Sequence, residues 1–286
     1  SILFCDIRGF TAVSERHSPE DLTRLINRFL TPLTQVILDR SGTIDKYMGD
    51  CIMAFWNAPI NVPEHALKAC QSALAMMTAL EKLNKELSDE AAKQFALREN
   101  TTGDGLSLTR GKLHQSTTEL LRVGVGINTG TACVGNLGSE QRFDYSALGD
   151  SVNLASRLEG QSKTYGVDIL LAEETYAGAE QLAAIELDLV QVVGKPEPVR
   201  IFALIGDESV KNSEEFVRLT QLQSEMLNLY RNRQWDNALA IIRQLHKDDA
   251  AISMKRYYDM FDKRVTEFQA NPPDSDWDGV ERRLVK

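Results

Sequence analysis

Apolar residues occupy consecutive positions at the start of the chain, from Ile2 to Cys5, and the run stops at Asp6. This predicts a buried strand over residues 1–5 that delivers one carboxylate to a glycine-containing turn, Ile7-Arg8-Gly9-Phe10-Thr11. Ser18-Pro19-Glu20-Asp21 reads as a helix start, with a capping serine, proline at the first helical position and two acids in the first turn. Leu22, Leu25, Ile26, Phe29, Leu30, Leu33 and Ile37 then recur at helical spacing until Ser41-Gly42. A hairpin follows, Thr43–Tyr47 and Cys51–Phe55, with Met48-Gly49-Asp50 at its turn. A second amphipathic helix over residues 64–87 carries Leu67, Cys70, Leu74, Met77, Leu80 and Leu87.

The pattern then breaks. Residues 88–118 are polar and lack sustained periodicity, which predicts an insertion rather than core. Leu121–Ile127 resumes as a strand, Asn128-Thr129-Gly130 turns into Ala132–Val134, and residues 135–139 read as a loop. Ser146 to Asn153 is expected to open a helix running to about Ser162. Ile169–Ala172 and Leu187–Val193 read as strands with a helix between them, Gly194-Lys195-Pro196 as a tight turn, and Val199–Leu204 as a last strand. Without the regular spacing of a doubly wound fold, this predicts an α+β architecture with helices on one face of a mainly antiparallel sheet.

From Gly206 onward every stripe is helical: Phe216, Leu219, Leu222, Met226 and Leu229; then Trp235, Ala238, Leu239, Ile242 and Leu245; then Tyr257, Tyr258, Phe261, Val265 and Phe268. The chain thus divides into a domain over 1–205 and a helical extension over 206–286. Trp235-Asp236-Asn237-Ala238-Leu239 resembles the opening of a tetratricopeptide unit, but at most one and a half repeats are present. Such a unit cannot bury its faces alone, so the extension is expected to pack on the preceding domain or on a second chain.

A length of 286 residues, with 43% hydrophobic and 26% charged, describes an ordinary globular protein. No stretch approaches the roughly 20 apolar residues that span a bilayer, and no signal-peptide pattern opens the chain. A formal net charge of −9 argues against broad nucleic-acid binding, which needs a basic face, but leaves room for a small anionic ligand. Cys5, Cys51, Cys70 and Cys133 stand singly in apolar surroundings and fit reduced core residues better than disulfides or a zinc site. The first residue already lies inside an apolar run, so the chain is expected to be a piece of a longer protein.

Asp6 and Asp50 are the strongest chemical pair. Alone, each is better explained as turn chemistry. Joined to the Gly9 turn, whose amides precede a helix, they read as a clamp for divalent cations beside a triphosphate cradle formed by Gly9, Phe10 and Thr11. Lys46 lies between apolar neighbours on its strand and can donate to a purine ring nitrogen, with the Ser146 hydroxyl on the same base edge. Asn153 and Arg157 are one helical turn apart and suit charge developing on ribose and triphosphate oxygens; a surface pairing of Arg157 with Glu159 or Asp150 is the competing explanation. Lys195 is either a phosphate contact or a solvated loop charge.

Four stretches in order carry a family resemblance: Phe4-Cys5-Asp6-Ile7-Arg8-Gly9-Phe10-Thr11; Lys46-Tyr47-Met48-Gly49-Asp50; Gly149-Asp150-Ser151-Val152-Asn153-Leu154-Ala155-Ser156-Arg157-Leu158-Glu159; and Val193-Gly194-Lys195. Together they resemble a class III nucleotide cyclase catalytic domain over residues 1–205. The resemblance implies a ferredoxin-like core of mainly antiparallel sheet flanked by helices, a head-to-tail homodimer with shared active sites, and conversion of ATP to 3′,5′-cyclic AMP and pyrophosphate. It implies that Asp6 and Asp50 hold two Mg²⁺ or Mn²⁺ ions per site, assisted by the Ile7 carbonyl. Lys46 and Ser146 would recognise adenine, Asn153 orient the ribose, Arg157 stabilise the transition state and Lys195 bind phosphate. Ser146 departs from the aspartate of many relatives but keeps the hydroxyl of a bacterial subset with threonine there, and Lys46 favours ATP, since guanylate-specific relatives usually carry glutamate. The tail resembles bacterial cyclases anchored by an N-terminal sensor and transmembrane helices, implying a cytosolic domain of a bacterial inner-membrane protein. The competing readings are a catalytically silent nucleotide-binding module, against which the intact Asp6, Asp50, Asn153 and Arg157 argue, and an interaction protein working through its helical tail.

Overall fold

The computed structural model describes residues 1–101, 120–191, 197–247 and 254–282, with the side chains of 95, 97–101 and 247 left aside. In chain order, β1 (Ile2–Ile7), α1 (Phe10–Ser14), α2 (Pro19–Asp39), β2 (Thr43–Met48), β3 (Cys51–Phe55) and α3 (His65–Thr101) come first. Then follow β4 (Val123–Asn128), β5 (Cys133–Gly138), β6 (Phe143–Leu148), α4 (Asp150–Tyr165), β7 (Ile169–Ala172), α5 (Glu173–Ala177), β8 (Ala183–Val190) and β9 (Val199–Gly206). The helices α6 (Glu208–Lys211), α7 (Glu214–Arg231), α8 (Trp235–Lys247) and α9 (Lys255–Ala270) complete the order. A seven-stranded sheet has the order β2-β3-β1-β4-β7-β9-β8, and β5 with β6 forms a separate two-stranded ribbon. All strand pairs in the large sheet are antiparallel except β4 with β7. The α+β class with a mainly antiparallel sheet flanked by helices therefore holds.

The expectation of helices on one face only does not hold. Strands such as β4 and β7 are buried at every position, so both faces of the sheet need cover. Leu3, Cys5 and Ile7 of β1 pack with Phe29, Leu33 and Ile37 of α2 and with Cys70, Ala73 and Met76 of α3. The alternate residues Ile2 and Phe4 pack on the opposite face with Val152 and Ala155 of α4. α4 comes very close to the sheet because Gly126 is bare: a β-carbon there would lie 2.1 Å from the Glu159 nitrogen and 2.3 Å from the Ala155 carbonyl oxygen.

The helical extension covers the rest of that second face. Leu170, Ile185, Leu187 and Ile201 share one core with Met226, Leu239, Tyr257, Phe261 and Val265. Polar groups inside this junction are matched. Arg264 Nη1 donates to Asp188 Oδ2 at 2.5 Å, and the Tyr165 hydroxyl donates to the same oxygen at 2.8 Å. Arg264 also pairs with Glu281 at 3.3 Å, and Glu281 runs beside the end of β8, its N–H donating to the Leu189 carbonyl at 2.8 Å. Packing on the preceding domain is thus what the extension does, with Trp277 against the rings of Tyr230, Trp235 and Phe268.

Two local expectations are corrected. α3 continues to Thr101, so residues 88–101 are helix, and the rest of the expected insertion lies outside the described residues. Residues 135–138 are strand rather than loop, and Ser146 lies on β6, paired with Gly135, rather than at the opening of a helix. The ribbon satisfies the backbone of both segments, and α4 begins only after Gly149. Of the cysteines, Cys5 and Cys70 are buried, Cys51 is half-buried and Cys133 is exposed.

Candidate active site

β1 and the β2–β3 turn bring two carboxylates to one backbone amide. The Ile7 N–H donates to Asp6 Oδ1 at 3.1 Å and to Asp50 Oδ2 at 3.2 Å. Asp6 reaches this point as the penultimate residue of β1; Asp50 reaches it because Met48 pairs with Cys51, leaving Gly49-Asp50 as a tight turn beside the strand end. The Asp6 carboxyl is pushed up to about 7, first by burial, then by its hydrogen bond to Asp50 and the repulsion of Asp50 and Glu159, with the Ile7 N–H opposing.

Glu159 is a third carboxylate, given no role in the sequence reading beyond a surface partner for Arg157. It turns toward the sheet: Asp6 pairs with Gly124 across β1–β4, and a β-carbon on Gly124 would lie 2.6 Å from Glu159 Oε1. Burial lifts its carboxyl to about 7, with Arg8 opposing and Asp50 adding. The field of this cluster extends to Cys51, whose thiol is pushed up to about 12 by burial and then by Asp6, Glu159 and Asp50. A glycine opposite β1 in a buried strand was the available sequence signal for a side chain filling that space.

These groups fit a hard divalent cation. The donors are carboxylate oxygens, they crowd one another, and a single amide is a weak counterweight to their charge. Among the described residues no set of three or more His, Cys, Asp or Glu side chains forms a metal cluster. Two carboxylates with the remaining positions left to water and substrate phosphate is the coordination habit of Mg²⁺.

Next to the carboxylates, Gly9 caps α1 at φ 72°, a left-handed conformation that glycine adopts without strain. Its carbonyl accepts from the Ala12 N–H at 3.0 Å, while Phe10 packs half-buried on the core and Thr11 is exposed. Arg8 is tied away from the turn: its Nε donates to the Val123 carbonyl at 2.8 Å, and its Nη2 to the Val167 carbonyl.

Lys46 and Ser146 also come together, through a residue the sequence reading passed over. Asp45 Oδ2 accepts from the Ser146 hydroxyl at 2.8 Å and from the Ala147 N–H at 3.0 Å, and Asp45 Oδ1 lies 3.3 Å from Lys46 Nζ. The Asp45 side chain is fully buried, while that of Lys46 is 39% exposed. Neighbours on a regular strand point to opposite faces; here the β2–β3 register slips between Ile44 and Lys46, leaving Asp45 in a bulge that re-aims its side chain.

Asn153 and Arg157 stand together elsewhere. Both are exposed on α4, whose opposite side carries the buried Val152, Leu154, Ala155 and Leu158. α4 packs that buried side on β1 and β4, so Asn153 and Arg157 face away from the Asp6 and Asp50 of their own chain. Lys195 lies outside the described residues.

Residues 1–206 match the adenylate and guanylate cyclase catalytic domain. Adenylate cyclase 1 of Rhizobium meliloti is 31% identical over 214 residues, 74% of this chain and 28% of that protein. The adenylate cyclase of Anabaena cylindrica is 35% identical over 206 residues, 71% of this chain and 36% of that protein, so the chain spans well under half the length of either relative. The crystal structure of the guanylyl cyclase Cya2 is similar at 31% identity and a TM-score of 0.56, covering 74% of this chain and 93% of that one. That of the adenylyl cyclase CyaB from P. aeruginosa is similar at 32% identity and a TM-score of 0.51, covering 72% and 93%. Relatives named for each nucleotide are thus about equally similar, and the domain match extends over most of the chain. The chain belongs to the class III family of adenylate and guanylate cyclase catalytic domains.

Proposed function

We propose that the chain is an adenylate cyclase, converting ATP to 3′,5′-cyclic AMP and pyrophosphate at sites shared between two copies in a homodimer. The observation that carries this reading is the convergence of Asp6 and Asp50 on the Ile7 amide within a family whose members use divalent metal ions. Asp6 and Asp50, with the Ile7 carbonyl, would hold two Mg²⁺ or Mn²⁺ ions, which when bound supply Lewis-acid activation of the ribose 3′-hydroxyl and neutralise phosphate charge. The 3′-oxygen forms a bond to the α-phosphorus, the bond from that phosphorus to the pyrophosphate oxygen breaks, and the hydroxyl proton leaves to water or to the substrate phosphates. Gly9, Phe10 and Thr11 place amides at the start of a helix where phosphate oxygens are received. Asn153 holds the ribose, and Arg157 and Lys195 offset charge on the phosphoryl group and the departing pyrophosphate. Lys46 and Ser146 select adenine.

The placement of α4 supports a shared site. Asn153 and Arg157 are on the exposed side of a helix whose buried side packs on Ile2 and Phe4 of β1, the strand that carries Asp6, and in this reading they serve the site of a second copy. Tyr47, Met48, Phe143 and Leu148 are exposed apolar residues on β2 and β6, the strands that carry Lys46 and Ser146, and are suited to burial between copies. The chain spans well under half the length of its relatives, and by its resemblance to membrane-anchored cyclases it is read as a cytosolic output domain that would act behind an N-terminal membrane anchor and sensor. Among the described residues, no helix of the chain itself is long and apolar enough to cross a membrane.

The test is product formation from Mn-ATP across a series of protein concentrations, with cyclic AMP and pyrophosphate separated chromatographically. Specific activity is expected to rise with concentration as copies pair. Absence of both products at high concentration overturns the cyclase reading, and faster turnover of GTP overturns the assignment of adenine.

A further inference from the structure

Asp45 touches both side chains assigned to the base edge and has no role so far. We propose that Asp45 is the positioning residue that sets nucleobase selection, by fixing which hydrogen-bonding role Ser146 presents to the substrate. This rests on the cyclase reading and deepens it.

A hydroxyl has one proton to donate and two lone pairs to offer. The Ser146 proton is committed to Asp45 Oδ2, 2.8 Å away, and the Ala147 N–H on the same oxygen holds that carboxylate in place. Toward a ligand, the Ser146 oxygen is left as an acceptor only. Asp45 Oδ1 has no hydrogen-bond donor among the described residues and faces the Lys46 ammonium at 3.3 Å. The ammonium has three N–H groups, so attraction to Oδ1 anchors it while leaving donors for the substrate. The result is a fixed pair, a donor at Lys46 beside an acceptor at Ser146.

Adenine matches that pair, since its ring N1 accepts and its adjacent exocyclic N6 amine donates. Guanine reverses both positions, with a donating N1–H and an accepting O6. The mismatch leaves buried polar groups unpaired, which is the strong form of discrimination. An unanchored serine rotates its hydroxyl and accepts either base edge, so Asp45 converts an indifferent hydroxyl into a selective one. The β-bulge makes this possible, because it lets Asp45 and Lys46 serve one site although they are adjacent on a strand.

The experiment compares kcat/KM for ATP and for GTP in the full chain, for wild type, D45N, S146A and the double variant. Binding of 3′-deoxy-ATP and 3′-deoxy-GTP by calorimetry reads the same ratio without turnover. The carboxamide of D45N has one accepting oxygen and no charge, so it cannot hold both partners as the carboxylate does. D45N and S146A are each expected to lower the ATP-to-GTP ratio about tenfold, and the double variant to lower it no further than either alone. Equal losses for both nucleotides, or additive effects of the two substitutions, overturn the proposal. If D45N shows no cooperative melting transition, S146A decides alone, and an unchanged ratio overturns it. Wild-type protein that binds both analogues but forms no cyclic product sinks the cyclase reading while the binding ratio still tests Asp45.

Discussion

Asp6 and Asp50 share the Ile7 N–H, with oxygens 3.1 and 3.2 Å from the nitrogen, so two carboxylates compete for one donor. In the absence of a cation this is a destabilising arrangement. Asp50→Asn removes one negative charge and supplies a further donor, and is expected to raise the melting temperature in EDTA by a few degrees, a change of about 1 kcal/mol. The same variant is expected to lose the melting shift that Mn²⁺ gives the wild type, together with cyclase activity by orders of magnitude. A lowered melting temperature in EDTA contradicts the reading of the pair as a cation clamp.

The same crowding sets a pH dependence. Asp6 is raised from 3.8 to about 7 and Glu159 from 4.5 to about 7, in both cases chiefly by burial. Between these limits the folded protein holds protons that the unfolded chain has released. The contribution is therefore fully present below the unfolded values and is lost as pH rises through about 7. Metal-free protein should melt at a lower temperature at pH 8 than at pH 5.5, and saturating Mn²⁺ should flatten that slope by taking the place of the protons. A melting temperature that rises over this range in EDTA counts against it.

Arg157 is on the exposed side of α4, while the buried side of that helix packs on β1, the strand of Asp6, and this predicts complementation. Asp6→Ala and Arg157→Ala should each lose activity by orders of magnitude. Mixed in equal amounts, random pairing makes half the dimers heterodimers, each with one intact site of two, so recovery should approach about a quarter of wild-type activity. If heterodimers form and no activity returns, the sites are not shared.

Much of this was legible in the sequence because it depends on local rules. The helix start at Ser18 is a cap whose side chain accepts from the Asp21 N–H, as its residue types require. That Asp6 and Asp50 belong together could be read because an apolar run stops at one carboxylate and a glycine turn presents the other, and the structure brings both to the Ile7 N–H. Asp45 was missed because a one-residue slip in register has no reliable signature in one strand's sequence; it depends on how β2 meets β3. Glu159 was missed because its direction depends on α4 lying against Gly124 and Gly126, which only the tertiary structure shows. The ribbon of β5 and β6 was only begun, at Ala132–Val134, for a related reason: Gly135, Asn136 and Gly138 give weak strand propensity, and pairing with β6 decides the outcome.

Arg264 and Asp188 join the helical extension to the sheet, and their burial predicts an asymmetric pair of outcomes. The Arg264 side chain is 8% exposed and that of Asp188 is fully buried, and their 2.5 Å contact is flanked by the Tyr165 hydroxyl and Glu281. Removing the cation alone strands the Asp188 carboxylate in a low-dielectric core, so Arg264→Met should cost about 3–5 kcal/mol, read from urea unfolding. Neutralising both carboxylates as well, with Asp188→Asn and Glu281→Gln beside Arg264→Met, should recover most of that loss, because the buried charges that needed compensation are then gone. The extension covers Leu170, Ile185, Leu187 and Ile201, so truncation after Gly206 should expose that apolar face and yield an aggregating product. Were the single Arg264 variant to unfold at the wild-type urea midpoint, this junction would be a surface contact rather than part of the core that holds β8 in place.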